Sequence, residues 1–207
     1  MADLASKSCV DFAAALASAE PVPGGGGAAA LTGALAASLG AMAGRLSAAR
    51  KKAEAEREAL DARVQIADAL RQRLLSLIDW DALLFVPLQR AYSIPKDAPG
   101  RAETLRKASL DACEAPLQML GCLSEVSQLL EELLERVSPL LLSDVGCAAA
   151  LCHGALQAAA MNVWVNTHSL GEDPQAAAMN IEVRRLLTEA LPRAERVVAA
   201  VEEKLGG

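Results

Sequence analysis

The chain has 207 residues, of which 53% are hydrophobic and only 2% aromatic, and its formal net charge is −6. The length supports one compact domain over residues 1–207 with a real core, and a composition rich in Ala and Leu but poor in aromatics favours helices over strands. The acidic balance excludes broad electrostatic attraction to nucleic acid, which needs a concentrated basic face.

In chain order, Leu4, Phe12 and Leu16 mark a short amphipathic helix over about 4–18, ended by Pro21 and Pro23. Four consecutive glycines, Gly24, Gly25, Gly26 and Gly27, then lead into a small-residue helix over about 28–47. There Leu31, Leu35, Leu39, Met42 and Leu46 recur at helical spacing, and Ala, Gly, Thr and Ser fill the rest of the circumference. Small side chains let neighbouring axes approach closely, so a central position is expected. A charged helix follows, with Leu60, Val64, Ala67, Leu70, Leu74 and Leu77 as its apolar stripe and RKKAEAERE as a solvated face. Pro87 predicts a kink or break in it, and Pro95 and Pro99 mark a loop.

A further helix is expected from about 101, disturbed at Pro116, with Val126, Leu129, Leu130, Leu133 and Val137 on its apolar face. After Ser138-Pro139 comes a second small-residue helix, SDVGCAAALCHGALQAAAMNVWVNTHSL, for which Ser143 or Asp144 is the expected N-cap. Asp173-Pro174 announces the last helix as an N-cap and N1 pair, and Ile181, Leu186, Leu187, Leu191, Val197, Val198 and Val201 continue it. No strand-like alternation of useful length interrupts this series, so an all-α bundle of six to eight helices is predicted.

The cysteines at 9, 113, 122, 147 and 152 form no CxxC pair and read as reduced thiols in a cytoplasmic protein. Adjacent Cys152 and His153 face different sides of a helix, so no metal site is expected, and His153 reads as a core or interface residue. Asp3, Lys7 and Asp11 interrupt the first apolar residues, against a secretory signal. The uncharged windows 21–44 and 145–171 read as helices buried in a soluble core rather than membrane spans, because Ala, Gly and several amides dominate them.

Glycines ahead of a helix leave backbone N–H groups uncovered, which suits an anion or a closely approaching partner. Neither a Walker A Lys-Ser/Thr nor a preceding strand accompanies them, so a nucleotide site is disfavoured. On these grounds alone a ligand role and a packing role both stay open. PVPGGGGAAALTGALAASLGAMAGRLS, however, resembles the proline-glycine segment of the cyclodeaminase/cyclohydrolase family of folate enzymes. Three more stretches match in the same order: LIDWDALLFVPLQRAYSIPK, SDVGCAAAL and MNVWVNTHSL resemble the family's acidic segment ending in Leu-Pro-Lys, its Ser-Asp-x-Gly helix start and its Asn-Val-x-x-Asn segment.

The resemblance implies an all-helical homodimer acting on one-carbon tetrahydrofolates, with no metal or redox cofactor. Its main implication is a methenyltetrahydrofolate cyclohydrolase that adds water to the 5,10-methenyl compound, giving 10-formyltetrahydrofolate. Gly27 favours this reading, since bifunctional relatives tend to carry Ser there. Formiminotetrahydrofolate cyclodeaminase, releasing ammonia, is the alternative, and a non-catalytic folate-binding helical protein is the other. Hydrolysis needs one acid/base group to take a proton from water and return one to the departing ring nitrogen, and an anion to stabilise the substrate's cation. Asp81 is the leading residue for these tasks and Asp144 the second, unless Asp144 is only a cap. Gly24, Gly25, Gly26 and Gly27 are expected to let backbone approach the folate or a partner subunit. Lys96 is either an exposed loop residue or the group that recognises the folate's glutamate carboxylates. Asn162 and Asn166, four apart on one helical face, either bind the pterin or bridge helices. Where relatives often carry two adjacent acids this chain has Trp80-Asp81, with Asp79 turned about 100° from position 80; Trp80 is then open to stacking on the pterin or to packing.

Overall fold

The computed structural model describes residues 3–206, and among them seven α-helices and no strand occur. They are α1 (Cys9–Leu16), α2 (Gly25–Ala48), α3 (Glu54–Tyr92), α4 (Arg101–Asp111), α5 (Glu114–Leu134), α6 (Leu142–His168) and α7 (Pro174–Leu205), with a 3-10 turn at Pro139–Leu141. The all-α prediction and the helix count both hold.

Helix α2 lies at the centre, with α3 on one flank, α6 on the other and α5 beneath; α7 packs across α5 and α6. The start of α2 meets the end of α6 at Gly25 and Asn162, and its last turn meets the 3-10 turn leading into α6, where Ser47 Oγ accepts from the Ser138 N–H at 2.8 Å. The two small-residue helices therefore run antiparallel. Close approach is built on missing side chains: a Cβ at Gly33 would lie 2.5 Å from Leu123 Cδ2, and one at Gly44 2.7 Å from Val64 Cγ2.

Burial on α2 departs from the expected leucine stripe. The core face is made of Gly26, Ala30, Gly33, Ala37, Gly40, Ala41 and Gly44, whereas Leu35, Met42 and Leu46 face outward. Small residues win the inward positions because only they permit the short interaxial distances to α3, α5 and α6. Together with the preceding 3-10 turn, α6 is, like α2, long and apolar enough by length and composition to cross a membrane, a criterion that core helices also meet. Of the pair, α2 is mostly buried, while α6 keeps an outward uncharged face.

Elsewhere the stripe Leu60 to Leu77 on α3 is buried as expected. Pro87 does not end α3, which runs through it to Tyr92. The carbonyl that it leaves without a helical donor belongs to Leu83, which is exposed, so the interruption falls on the solvent side of the helix. Pro116 falls in the first turn of α5, where no intrahelical N–H is lost. Neither Ser143 nor Asp144 caps α6: the 3-10 turn feeds its start through Leu141, and Asp144 lies inside the first turn. Asp173 does cap α7, accepting from the Gln175 and Ala176 N–H groups at 2.8 and 3.1 Å, and Arg106 of α4 ties to it at 2.6 Å. Ile181 is the exception on α7's apolar face, being exposed.

Candidate active site

The cavity forms where the start of α2 meets the middle of α3 and the last turns of α6. The glycines are not a loop before the helix, because α2 begins at Gly25, and Gly24 occupies the N-cap without any side chain to cap the free N–H groups. A carboxylate from another helix approaches there: Asp81 on α3 lies against the Gly26 backbone, where the neighbouring Gly27 N–H favours its charged form. Its approach is close enough that a Cβ at Gly26 would lie 2.5 Å from the Asp81 carboxyl carbon. Glycine at 26 is therefore obligatory, and the group it admits is the protein's own acid. Its backbone also lines the cavity beside that acid.

Burial pushes the Asp81 carboxyl up to about 6, and the Gly27 N–H opposes that rise without cancelling it. Asp81 is thus poised to exchange a proton near neutrality, and it is the one titratable side chain lining this cavity of about 250 Å³. Opposite it stand Asn162 and Asn166. Asn162 donates its amide N–H to the Ala158 carbonyl at 2.8 Å, and Asn166 to the Asn162 carbonyl at 3.0 Å. Both bonds stay within α6, while a longer one from Asn166 to the Ala112 carbonyl at 3.4 Å reaches the junction of α4 and α5, and the amide oxygens are left as acceptors beside the cavity.

Gly24, Gly25, Gly26, Asp81, Asn162 and Asn166 are brought together as lining residues. Gly27 is buried behind them. Lys96 is exposed in the loop after α3 and does not line the cavity. Asp144 is eighteen residues from Asn162 along α6, about 27 Å at the helical rise, so it does not meet Asp81 within this chain. Trp80 does not face the cavity either; it packs on the core with the Arg73 guanidinium 5.8 Å from its ring centroid.

Apolar walls that the sequence reading did not assign come from Pro21, Val22, Phe85 and Pro116. Phe85 was detectable, since it lies four residues after Asp81 and so on the same face of α3. Pro21, Val22 and Pro116 belong to segments that only the fold places here. Among the described residues no cluster of His, Cys, Asp or Glu could hold a metal ion. All five cysteines are free; Cys113, behind Asn166, is held protonated by burial, with its thiol pushed up to about 12.

A family model described as formiminotransferase-cyclodeaminase matches residues 8–185. A methenyltetrahydrofolate cyclohydrolase from Methylorubrum extorquens is 33% identical over 94% of this chain and 95% of its own length. A mouse formimidoyltransferase-cyclodeaminase is 28% identical over 64% of this chain, which corresponds to 25% of that longer protein. Among solved structures, a formiminotetrahydrofolate cyclodeaminase from Thermotoga maritima superposes with a TM-score of 0.84 at 25% identity, covering 98% of this chain and 97% of that one.

Proposed function

The chain belongs to the formiminotransferase-cyclodeaminase family, and on that premise we propose that it is a methenyltetrahydrofolate cyclohydrolase whose acid/base group is Asp81. The observation that carries the assignment is a lone, partly buried carboxyl, raised to about 6, facing amide acceptors in a cavity with no cation of its own. Such a site suits a ligand that brings positive charge, as the amidinium of a 5,10-methenyl bridge does.

In the reaction, water attacks the bridge carbon and gives one proton to the Asp81 carboxylate as the C–O bond forms. That proton leaves to solvent. The neutral carbinolamine then collapses: Asp81 takes its hydroxyl proton as the carbonyl forms, and returns it to N5 as the C–N5 bond breaks. One water is consumed and one proton released overall, and no other titratable group in the cavity is required. Asn162 and Asn166 offer acceptors for pterin N–H groups, and Phe85 and Pro116 supply apolar walls. A cavity of this size takes the ring end of the substrate, leaving the rest of the folate outside it.

The test is loss of the methenyl chromophore on mixing 5,10-methenyltetrahydrofolate with the protein. Asp81→Asn is expected to lower the rate by about a hundredfold or more. An unaccelerated reaction with the native chain would overturn the reading and turn attention to ammonia release from 5-formiminotetrahydrofolate, the reaction named for the Thermotoga relative.

We further infer a cytoplasmic homodimer. Support comes from the outward uncharged faces of antiparallel α2 and α6, which lie side by side and expose Leu35 (51%), Leu46 (46%), Met161 (60%) and Val165 (66%). A second copy related by a twofold axis would cover both faces at once.

A further inference from the structure

We propose that Asp79 is a positioning residue: it fastens the beginning of segment 3–24 to α3, and the fastened segment holds Gly27 against Asp81. The role of Asp81 itself rests on the function proposed above.

The Leu4 backbone N–H donates to Asp79 Oδ1 at 2.7 Å across 75 residues of sequence. Among the described residues this is the one hydrogen bond that joins residues 3–23 to the rest of the molecule, since the others made there are local. Three buried side chains, Leu4 (4% exposed), Phe12 (6%) and Pro23, add apolar anchorage, while most of α1 faces solvent. The segment is thus a strap with few attachments. Its far end runs into the cavity wall, where Pro21 and Val22 line the site.

Its contacts converge on Gly27. A Cβ at Gly27 would find Pro23 Cβ at 3.3 Å, Ile78 Cγ2 at 3.7 Å and Phe12 Cζ at 3.8 Å. Pro23 and Phe12 belong to the strap, and Ile78 immediately precedes Asp79. On α3, Asp79 and Asp81 are two residues apart and therefore point about 200° away from each other. One grips the strap at Leu4; the other lies against Gly26, next to the residue the strap packs around. This division explains why Asp79 cannot act as a second acid in the cavity, and it gives that carboxylate a task.

A hydrogen-bond acceptor is what the strap requires, not a proton carrier. Asp79→Ala is expected to lower kcat/KM by roughly ten- to a hundredfold through displaced geometry, whereas Asp79→Asn, which keeps an acceptor oxygen, retains activity within about twofold. Asp81→Asn loses activity whatever stands at 79. The second readout needs no substrate: the 13C resonance of the Asp81 carboxyl, titrated in each variant, shifts its midpoint in Asp79→Ala and holds it in Asp79→Asn. Leu4→Pro removes the donor instead, so it should repeat the Asp79→Ala shift and add nothing in the double variant.

Three results would overturn the proposal: Asp79→Asn as inactive as Asp81→Asn, Asp79→Ala with native kinetics, or an Asp81 midpoint indifferent to both Asp79→Ala and Leu4→Pro. Should the native chain fail to hydrolyse the methenyl compound, the carboxyl titration still decides the strap's role, so the two failures are distinguishable.

Discussion

At Gly26 a missing methyl group admits a carboxylate, and much of the site's chemistry follows from that contact. The Asp81 carboxyl titrates near 6 in the fold and near 3.8 when unfolded. The folded state therefore binds the proton more tightly, and this group's contribution to stability is full below the unfolded value and lost as pH rises through about 6. Two pH units correspond to roughly 3 kcal/mol at most, and partial exposure screens this to about 1–2 kcal/mol. Asp81→Asn should accordingly raise the urea midpoint at pH 7.5 while abolishing turnover, and flatten the loss of stability between pH 4 and 6. In the native enzyme the rate should fall below about pH 6, as the base becomes protonated. An Asn variant that is less stable at pH 7.5 would contradict the burial argument. Asp81 was found through the acidic segment that resembles the family's; its partnership with Gly26 was not readable, because glycine carries no mark of which side chain will occupy its empty side. Asp79 was likewise visible only as a displaced acid, since its partner is a backbone N–H 75 positions away.

For the elements, period was legible and phase was not. The spacing of Leu31, Leu35, Leu39, Met42 and Leu46 correctly marked α2 as a helix, but hydrophobicity alone pointed the wrong face inward. The partners α3 and α5 present Leu74, Leu123, Leu130 and Leu133, whose bulk fills the space where α2 has glycines. Substituting Gly33→Val tests this: added carbons would meet Leu123 at its closest approach, and overpacking of this kind should cost about 1–3 kcal/mol in denaturant unfolding with activity retained in the folded fraction. On α3 and α7, where charged residues cover the outer side, the apolar stripes were read correctly apart from Ile181. At Pro87 the expected break does not occur, because a helix interrupted on its wet side loses little with one hydrogen bond.

Across the molecule, the uncharged faces of α2 and α6 adjoin because those helices run antiparallel, a relation set by Gly25 beside Asn162 and by Ser47 bonded to Ser138. Leu35→Glu combined with Leu46→Glu should convert a dimer to monomer in light scattering after gel filtration, with helical content unchanged; a native chain that elutes as a monomer would remove the basis for the dimer. Composition and periodicity by themselves determined that the chain is helical and roughly where its helices lie, because local propensity and 3.6-residue spacing are properties of neighbours in sequence; the family's likeness came separately, from the resemblance of four stretches to its motifs. Which face of α2 is buried, why Gly26 must be glycine, that Lys96 and Asp144 stand away from the cavity, and that Asp79 and Asp81 serve opposite sides of α3 were decided only by tertiary structure. Those facts depend on side chains and backbone brought together from distant parts of the chain, and contact across such distances leaves no local pattern to read.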